Sequence, residues 1–324
     1  MTDLELREIE EAAVELARNA GKILLDYFVG PLNIAYKSEN NRNPVTDADS
    51  AADEYLRGEI AKRFPEHGVL TEESTEGEDR RASVIWVIDP LDGTTNFLNG
   101  LPLFGVLIGV LEAGVPVACA IFMPSITRLG GHVLHARAGG GAFDEEVRLN
   151  LTETAEPARR MASYPSYFLR MFSWRRGMRR RLGDVRVTGS TGFELAHAAL
   201  GVFDYAVFSN QWLWDVASGV LLIQEAGGSV LSYDRRTKRW SPFDRFAVKQ
   251  AEEIATVREQ RSWRGSLVVG TASATAFITP GLKIRTFMWR RLRQRIIDRL
   301  RRHGAVPAAA AAPQSQGQGR SRRE

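Results

Sequence analysis

The chain has 324 residues, 44% of them hydrophobic and 25% charged, a globular balance sufficient for one large domain or two of medium size. It has no run of eighteen apolar residues, one cysteine (Cys119) and no basic-then-apolar start, so a transmembrane helix, an internal disulfide and a secretory signal are all unexpected and a cytoplasmic protein is anticipated. The net charge of +4 is uneven: from Gly281 to Glu324 twelve Lys and Arg face two acidic residues, a net of +10 that leaves residues 1–280 at −6.

Apolar residues at Leu4, Ile9, Ala12, Ala13, Leu16, Ile23, Leu24 and Phe28 predict a helix over 4–28. A second helix is predicted over Asp47–Arg63, closed by Phe64–Pro65 because the residue before proline avoids helical angles. V-I-W-V-I-D reads as a short strand ending in polar residues. The run from Phe104 to Phe122 reads as two buried strands joined at Glu112–Pro116. A hairpin follows around Leu134–Val147, with glycines 139–141 at its turn. From about residue 155 helices and strands alternate. Arg170–Leu182 is predicted as a very basic helix, D-V-R-V-T as a strand, Thr191–Leu200 as a helix, D-Y-A-V-F as a strand, Asp215–Glu225 as a helix, then S-V-L-S and S-L-V-V-G as strands. Phe243–Trp263 inserts a charged stretch, predicted helical, before the last of these. The order implies a two-part α/β molecule: an N-terminal α+β half over 1–150 and a C-terminal α/β half over 151–280. Residues 281–304 read as a basic amphipathic helix. Residues 305–324, rich in Ala, Gln, Gly and Ser, have nothing to bury and are expected to be disordered.

Residues 86–97, W-V-I-D-P-L-D-G-T-T-N-F, leave an apolar run with two carboxylates three apart across a proline. A strand ending in Asp89, a rigid Pro90 and then Asp92 can bring both carboxylates to one point at a strand end, where α/β sheets place their sites. Hard cations such as Mg²⁺ take carboxylate oxygens, and Gly93-Thr94-Thr95 reads as a helix start whose free N–H groups suit a phosphate. The same stretch also fits a plain surface turn, since Asp, Pro and Gly favour turns. Three further acidic stretches are V-T-D-A-D at 45–49, L-T-E-E-S at 70–74 and W-D-V-A-S-G at 214–219. Helix caps would account for Asp49 and Asp215, and a solvated charge run for Glu72 and Glu73.

Taken in order, V-T-x-A-D, E-E-S, W-x-I-D-P-L-D-G-T-T-N-F and W-D-x-A-x-G resemble the inositol monophosphatase family, part of the Mg²⁺-dependent, lithium-sensitive phosphatases that also include fructose-1,6-bisphosphatases and bisphosphonucleotide phosphatases. The resemblance runs from about Leu4 to Ser273. It implies a layered αβαβα sandwich with metals at the junction of the two halves. By the same resemblance Glu72, Asp89 and the Leu91 carbonyl would hold a first Mg²⁺, and Asp89, Asp92 and Asp215 a second, with two or three ions per site. Thr94, bonded to Asp49, would orient or deprotonate the attacking water, with Glu72 holding that water through the first metal. Gly93 and Thr94 would bind phosphate, and Gly189-Ser190-Thr191 would form the substrate turn. Glu73 would shape its loop, and Lys37 is either a site residue or a solvated lysine. The implied function is hydrolysis of a small phosphorylated alcohol, of the inositol monophosphate type, by in-line attack of a metal-activated water, in a homodimer. The alternatives are a bisphosphate phosphatase, acting on fructose 1,6-bisphosphate or adenosine 3′,5′-bisphosphate, and a phosphatase-like scaffold.

The chain departs from the family pattern before W-D. Where inositol phosphatases place a glutamate for a sugar hydroxyl, V-F-S-N-Q-W-L-W-D puts Phe208 or Ser209. Loss of one such charge-assisted hydrogen bond costs about 1.5–3 kcal/mol, enough to change substrate preference. Arg170, Arg175, Arg176, Arg179, Arg180, Arg181 and Arg186 precede the substrate turn. Most read as a solvated face, and one or two could reach a second phosphate, which arginine binds bidentately. In the tail, Met288, Trp289, Leu292, Ile296 and Leu300 share one helical face among arginines. Residues 282–302 would then contact a membrane surface, RNA or a partner protein, or pack their apolar stripe on the body.

Overall fold

In the computed structural model, the residues described are 1–29, 34–36, 44–75, 80–125, 127–128, 130–153, 160–178, 182–247 and 255–285. Helix α1 (Asp3–Phe28) starts where its sequence says it should: the Thr2 hydroxyl accepts the Glu5 N–H, and the Glu5 carboxylate accepts the Thr2 N–H at 2.7 Å. Its buried stripe of Ile9, Ala13, Leu16, Ala17, Ala20 and Leu24 follows helical spacing. Short strands β1 (Ile34–Tyr36) and β2 (Pro44–Thr46) pair antiparallel and lead into α2 (Asp47–Arg63), which packs on α1.

Seven strands then form the first sheet: β3 (Gly68–Thr71), β4 (Val84–Asp92), β5 (Gly105–Glu112), β6 (Val115–Met123), β7 (His132–Arg137), β8 (Gly141–Asp144) and β9 (Val147–Leu149), in that order, with one short helix, α3 (Thr94–Leu98), between β4 and β5. Only β3 and β4 run parallel; the remaining pairs are antiparallel. The sheet is covered on both faces, so its central strands are apolar throughout. Along β4, Val84, Trp86 and Ile88 join the core beneath α1 and α2, while Ile85 and Val87 face the opposite core. Contact between α1 and the sheet is closest at Gly21, where a Cβ would run into the ring of Phe122. Gly21→Ala is therefore expected to lower the melting temperature despite alanine's better helix propensity, since overpacking costs about 1–3 kcal/mol against a propensity gain of about 1 kcal/mol; thermal unfolding monitored by circular dichroism checks it.

The second sheet contains β10 (Met161–Ser163), β12 (Asp184–Arg186), β13 (Phe203–Trp212), β14 (Ser229–Asp234), β15 (Arg239–Pro242) and β16 (Arg264–Gly270), in the order β12-β10-β13-β16-β14-β15. Between these come α4 (Phe168–Met171), β11 (Phe172–Trp174), α5 (Thr191–Ala199), α6 (Leu213–Glu225) and α7 (Val257–Arg261); α8 (Ala272–Ile278) and β17 (Leu282–Ile284) follow. Helix α6 is buried along Val216 to Ile223 because it touches β4 to β7 of the first sheet and β13, β14 and β16 of the second. Helix α5 beside it likewise touches both sheets, and α8 covers the far face of the second. The layers are thus α1 with α2, the first sheet, α5 with α6, the second sheet, and α8: the αβαβα sandwich. Residues up to Lys283 form one compact unit.

Among the described residues of Arg170–Leu182 the expected basic helix does not form. The chain makes one turn at Phe168–Met171 and then extends through Phe172–Trp174, which pairs with β17. Aromatic burial outweighs helix propensity here: Tyr164, Phe168, Phe172 and Trp174 stack on one another, and Gly177, at a φ of 90°, turns the chain beyond them. The expected hairpin near residue 140 is a three-stranded meander that includes β9. Of the insertion, α7 is helical whereas Phe243 and Phe246 are buried without helix; residues 248–254 lie outside the described set. Leu282–Ile284 is a strand rather than the first turn of the tail helix, and residues 286–324 lie outside the described residues.

Candidate active site

Parallel pairing of β3 and β4 matches Thr71 to Ile88, so the next residues, Glu72 and Asp89, leave adjacent strands side by side at their C-terminal ends. The Glu72 N–H donates to the Ile88 carbonyl at 3.1 Å, which continues the ladder one step further. Pairing of β4 with β5 shifts between Asp89 and Asp92, and the Leu91 N–H turns inward to donate to Asp89 Oδ1 at 3.1 Å. Gly93 then reverses the chain at a φ of 85° and caps α3; a Cβ there would lie 2.7 Å from the Leu103 carbonyl oxygen, which restricts the position to glycine. The Thr94 hydroxyl donates to the Leu91 carbonyl at 3.0 Å. D-P-L-D-G is therefore no surface turn: Asp89 is 3% exposed and Asp92 7%.

Two helices bring the remaining carboxylates. Asp49 lies in the first turn of α2 and is buried. Asp215 lies in the first turn of α6, where its carboxylate accepts the Trp212 N–H at 3.0 Å, so the capping role is met along with any other. Glu72 is exposed and Glu73 half-buried. The electrostatics show how closely these groups gather. Burial, then Glu72, Asp92, Asp215 and Asp49 in turn, push the Asp89 carboxyl well above the usual carboxylate range. Asp215 is raised to about 8 by burial and then by Asp92, with the Trp212 hydrogen bond and Arg264 opposing and Glu72 adding. Asp92 is raised by burial, although three donors temper it: the Ser190 hydroxyl in a short hydrogen bond, the Gly192 N–H at 2.8 Å and the Thr191 N–H at 3.1 Å. Five acidic residues from four sequence blocks thus share one field. Among the described residues no three acidic, imidazole or thiol side chains stand at metal-coordinating spacing. Asp92 also accepts the hydroxyl of Ser190 and the N–H groups of Thr191 and Gly192 at the start of α5, each carboxylate oxygen keeping a second lone pair.

The turn Gly189-Ser190-Thr191 sits against this cluster through those bonds to Asp92. Asn96, the last polar residue of D-P-L-D-G-T-T-N, fastens it from below: its amide donates to the Leu103 carbonyl at 2.7 Å and to the Thr188 carbonyl at 2.9 Å. Thr188 in turn donates to Glu194 at 2.8 Å, and burial raises Glu194 to about 7. Phe208 is wholly buried in the core between the sheets, and Ser209 is buried as well. Asn210 then takes a φ of 55° at a bulge in β13, and Gln211 presents its amide 3.5 Å from the Thr191 hydroxyl. The rim residue beside the turn is therefore Gln211. Sequence reasoning missed Asn96, Glu194 and Gln211; only Asn96 carried a signal, as a polar residue inside the motif that no metal or phosphate role used. Arg170, Arg175, Arg176 and Arg186 are solvent-exposed, while Lys37 and Arg179 to Arg181 lie outside the described residues.

Comparison with known proteins agrees with this architecture. Residues 5–267 match the inositol monophosphatase family. The chain is 33% identical over 230 residues to the Escherichia coli protein called Nus factor SuhB, covering 68% of this chain and 84% of that one. It is 29% identical over 221 residues to a fructose-1,6-bisphosphatase/inositol-1-monophosphatase of Thermotoga maritima, covering 68% and 83%. The solved structure of an inositol monophosphatase from Anabaena superposes with a TM-score of 0.61 at 27% identity, over 85% of this chain and 98% of that one. Fold and family likeness together define a phosphoric monoester hydrolase built as an αβαβα sandwich. The chain belongs to the inositol monophosphatase family, whose members are in general metal-dependent and act on small phosphorylated substrates.

Proposed function

We propose that the protein is a Mg²⁺-dependent phosphomonoesterase that releases phosphate from a small phosphorylated alcohol of the inositol monophosphate type. The observation that carries this reading is the buried carboxylate field centred on Asp89, in which burial and four acidic neighbours all oppose ionisation. Uncompensated, such a set is unfavourable; hard divalent cations are the ligands that an all-oxygen, negatively charged donor set fits. In this reading Glu72, Asp89 and the Leu91 carbonyl hold one Mg²⁺, Asp89, Asp92 and Asp215 a second, and a third ion is accommodated at most. Bound there, the ions would polarise the phosphate and lower the pKa of a coordinated water.

The chain's own groups do the rest. Thr94 and Asp49 take the proton of the attacking water, with Glu72 holding that water in line with the leaving oxygen. A P–O bond forms on one side of phosphorus as the ester P–O bond breaks on the other, and the departing alkoxide takes up, through solvent water, the proton given up by the attacking water and leaves as the alcohol. Gly93 and Thr94 hold phosphate oxygens, and Gly189-Ser190-Thr191 seats the alcohol, with Gln211 at its edge. A neutral amide at the rim in place of a carboxylate also tolerates a second phosphate, and the bifunctional Thermotoga relative makes a bisphosphate substrate the second reading. A scaffold role through residues 282–302, toward a membrane surface, RNA or a partner protein, draws support from the basic composition of that segment and from a relative called a Nus factor. We further infer a homodimer in the cytoplasm.

Phosphate release from inositol 1-phosphate, fructose 1,6-bisphosphate, adenosine 3′,5′-bisphosphate and histidinol phosphate, with and without Mg²⁺, tests the reading. Mg²⁺-dependent release from the first supports it, and preference for either bisphosphate supports the second. Removal of residues 286–324 is expected to leave turnover within about twofold, because none of the proposed site residues lies there; a larger loss would move the tail into the enzyme.

A further inference from the structure

The insertion near residue 250 reaches the loop of Glu72 through the side chain of Arg261. Helix α7 is fixed from both sides. Thr256 and Glu259 cap each other, the Val257 N–H donates to the Arg80 carbonyl at 3.1 Å, and the Gln260 amide donates to the Phe246 carbonyl at 2.7 Å. Phe246 is in turn held by its N–H to the Gly114 carbonyl at 2.8 Å and by the edge of Trp263 against its ring. On this anchored turn, Arg261 donates from Nη2 to the carbonyls of Thr71 at 2.7 Å and of Ser74 at 2.6 Å. These carbonyls flank Glu72 and Glu73. The loop is already closed on itself, since the Ser74 N–H donates to the Thr71 hydroxyl at 2.9 Å. The same guanidinium lies over the ring of Trp214, 5.1 Å from its centroid, and Trp214 directly precedes Asp215.

We infer that Arg261 is a positioning residue of the metal site. It clamps the Glu72 loop to the start of α6 and so fixes the separation of Glu72 and Asp215. A planar guanidinium suits this role because it bonds in its plane to two carbonyls and stacks on an indole with its face, which an ammonium cannot do. The insertion is in this account a brace whose Arg261 acts on the site through backbone carbonyls rather than as a ligand.

The inference rests on the proposed metal site, and the sign of one measurement separates it from a general charge effect. By Coulomb attraction alone, loss of a cation from the loop that carries Glu72 strengthens the binding of a divalent ion. Loss of a clamp weakens it, by about tenfold or more for residues that orient metal ligands. The full-length protein and its Arg261→Gln, Arg261→Lys and Arg258→Gln variants are titrated with Mn²⁺ alone, followed by electron paramagnetic resonance, alongside calorimetric melting without metal. Arg261→Gln is expected to weaken Mn²⁺ binding about tenfold with an intact cooperative melt, Arg261→Lys to fall between it and the wild type, and Arg258→Gln, on the same helix, to leave binding unchanged. Unchanged or tighter binding by Arg261→Gln overturns the inference, as does equal weakening by Arg258→Gln. Should the wild type bind no Mn²⁺, or bind it equally after Asp89→Asn, the metal site itself falls, and with it the proposed function. Should Arg261→Gln lose its cooperative melt, Arg261→Lys decides: full wild-type affinity in a folded Lys variant overturns the clamp.

Discussion

Asp89→Asn is expected to reduce Mg²⁺-dependent phosphate release by at least about a hundredfold, the range seen when one preorganised electrostatic group is lost, while raising the melting temperature of the metal-free protein. The two effects share one cause. Asp89 is buried among Asp92, Asp215, Glu72 and Asp49, and each of them opposes its ionisation. An isosteric amide removes one charge from the field, which relieves repulsion in the metal-free fold, and removes the oxygen anion that both proposed ions would share. Phosphate-release assays together with scanning calorimetry, each with and without Mg²⁺, read both effects. In the wild type Mg²⁺ should raise the melting temperature, as any ligand specific to the folded state does; in the variant that increment should shrink to near zero. A variant that keeps both activity and the Mg²⁺ increment would remove Asp89 from the site.

A second large effect concerns pH. Asp89, Asp92 and Asp215 all have folded-state pKa values above the ordinary carboxylate range, Asp215 at about 8. With a raised folded pKa the native state binds more protons than the unfolded chain between the two values, so stability falls as pH rises through that window. For Asp215 the window runs from about 4, the ordinary aspartate value, to about 8, and each fully linked group contributes a slope of at most about 1.4 kcal/mol per pH unit. The metal-free protein is therefore expected to lose several degrees of melting temperature between pH 5.5 and 8 from these groups. Saturating Mg²⁺ should flatten the dependence by stabilising the carboxylates in their charged form. Calorimetry at a series of pH values in EDTA and in Mg²⁺ checks it, and an increase in metal-free stability over the same range would contradict the carboxylate field.

Much of this molecule was legible in its sequence, for identifiable reasons. Helix α1 announced itself by the spacing of its apolar residues and α2 by the Phe64–Pro65 that closes it, whereas the reciprocal cap of Thr2 and Glu5 was seen only in the structure. Strands β4, β5 and β6 were readable because burial on both faces leaves uninterrupted apolar runs with turn residues between, whereas β3 and β9 are too short to carry such a run. The acidic positions stood in motifs that travel together, and burial of Asp89 and Asp92 with their mutual influence separates them from an ordinary turn. Other features depended on contacts between distant segments. Phe172–Trp174 extends because Tyr164 and Phe168 are there to stack on, a fact no local window contains. Gln211 reaches the rim only because Asn210 adopts a left-handed conformation at a bulge. Arg261 looked like one more charge in a charged insertion until α7 was seen docked against the Glu72 loop.

The position of α6 has a consequence for how the protein is made. Every strand of the first sheet has left the ribosome once residue 149 has emerged, and α1 and α2 can already cover one face. The other face, with Ile85, Val87, Leu107 and Ile121 among its residues, has no cover until α5 and α6 arrive more than forty residues later. During that interval a nascent chain displays a broad greasy sheet, the kind of surface that recruits chaperones or sticks to neighbouring chains. Asp215 sits at the leading end of the helix that closes this face, so the acidic cluster is completed by the same docking event that ends the exposure. At the proposed metal site, capacity to bind a divalent ion would then double as a report that synthesis has passed its most hazardous stage.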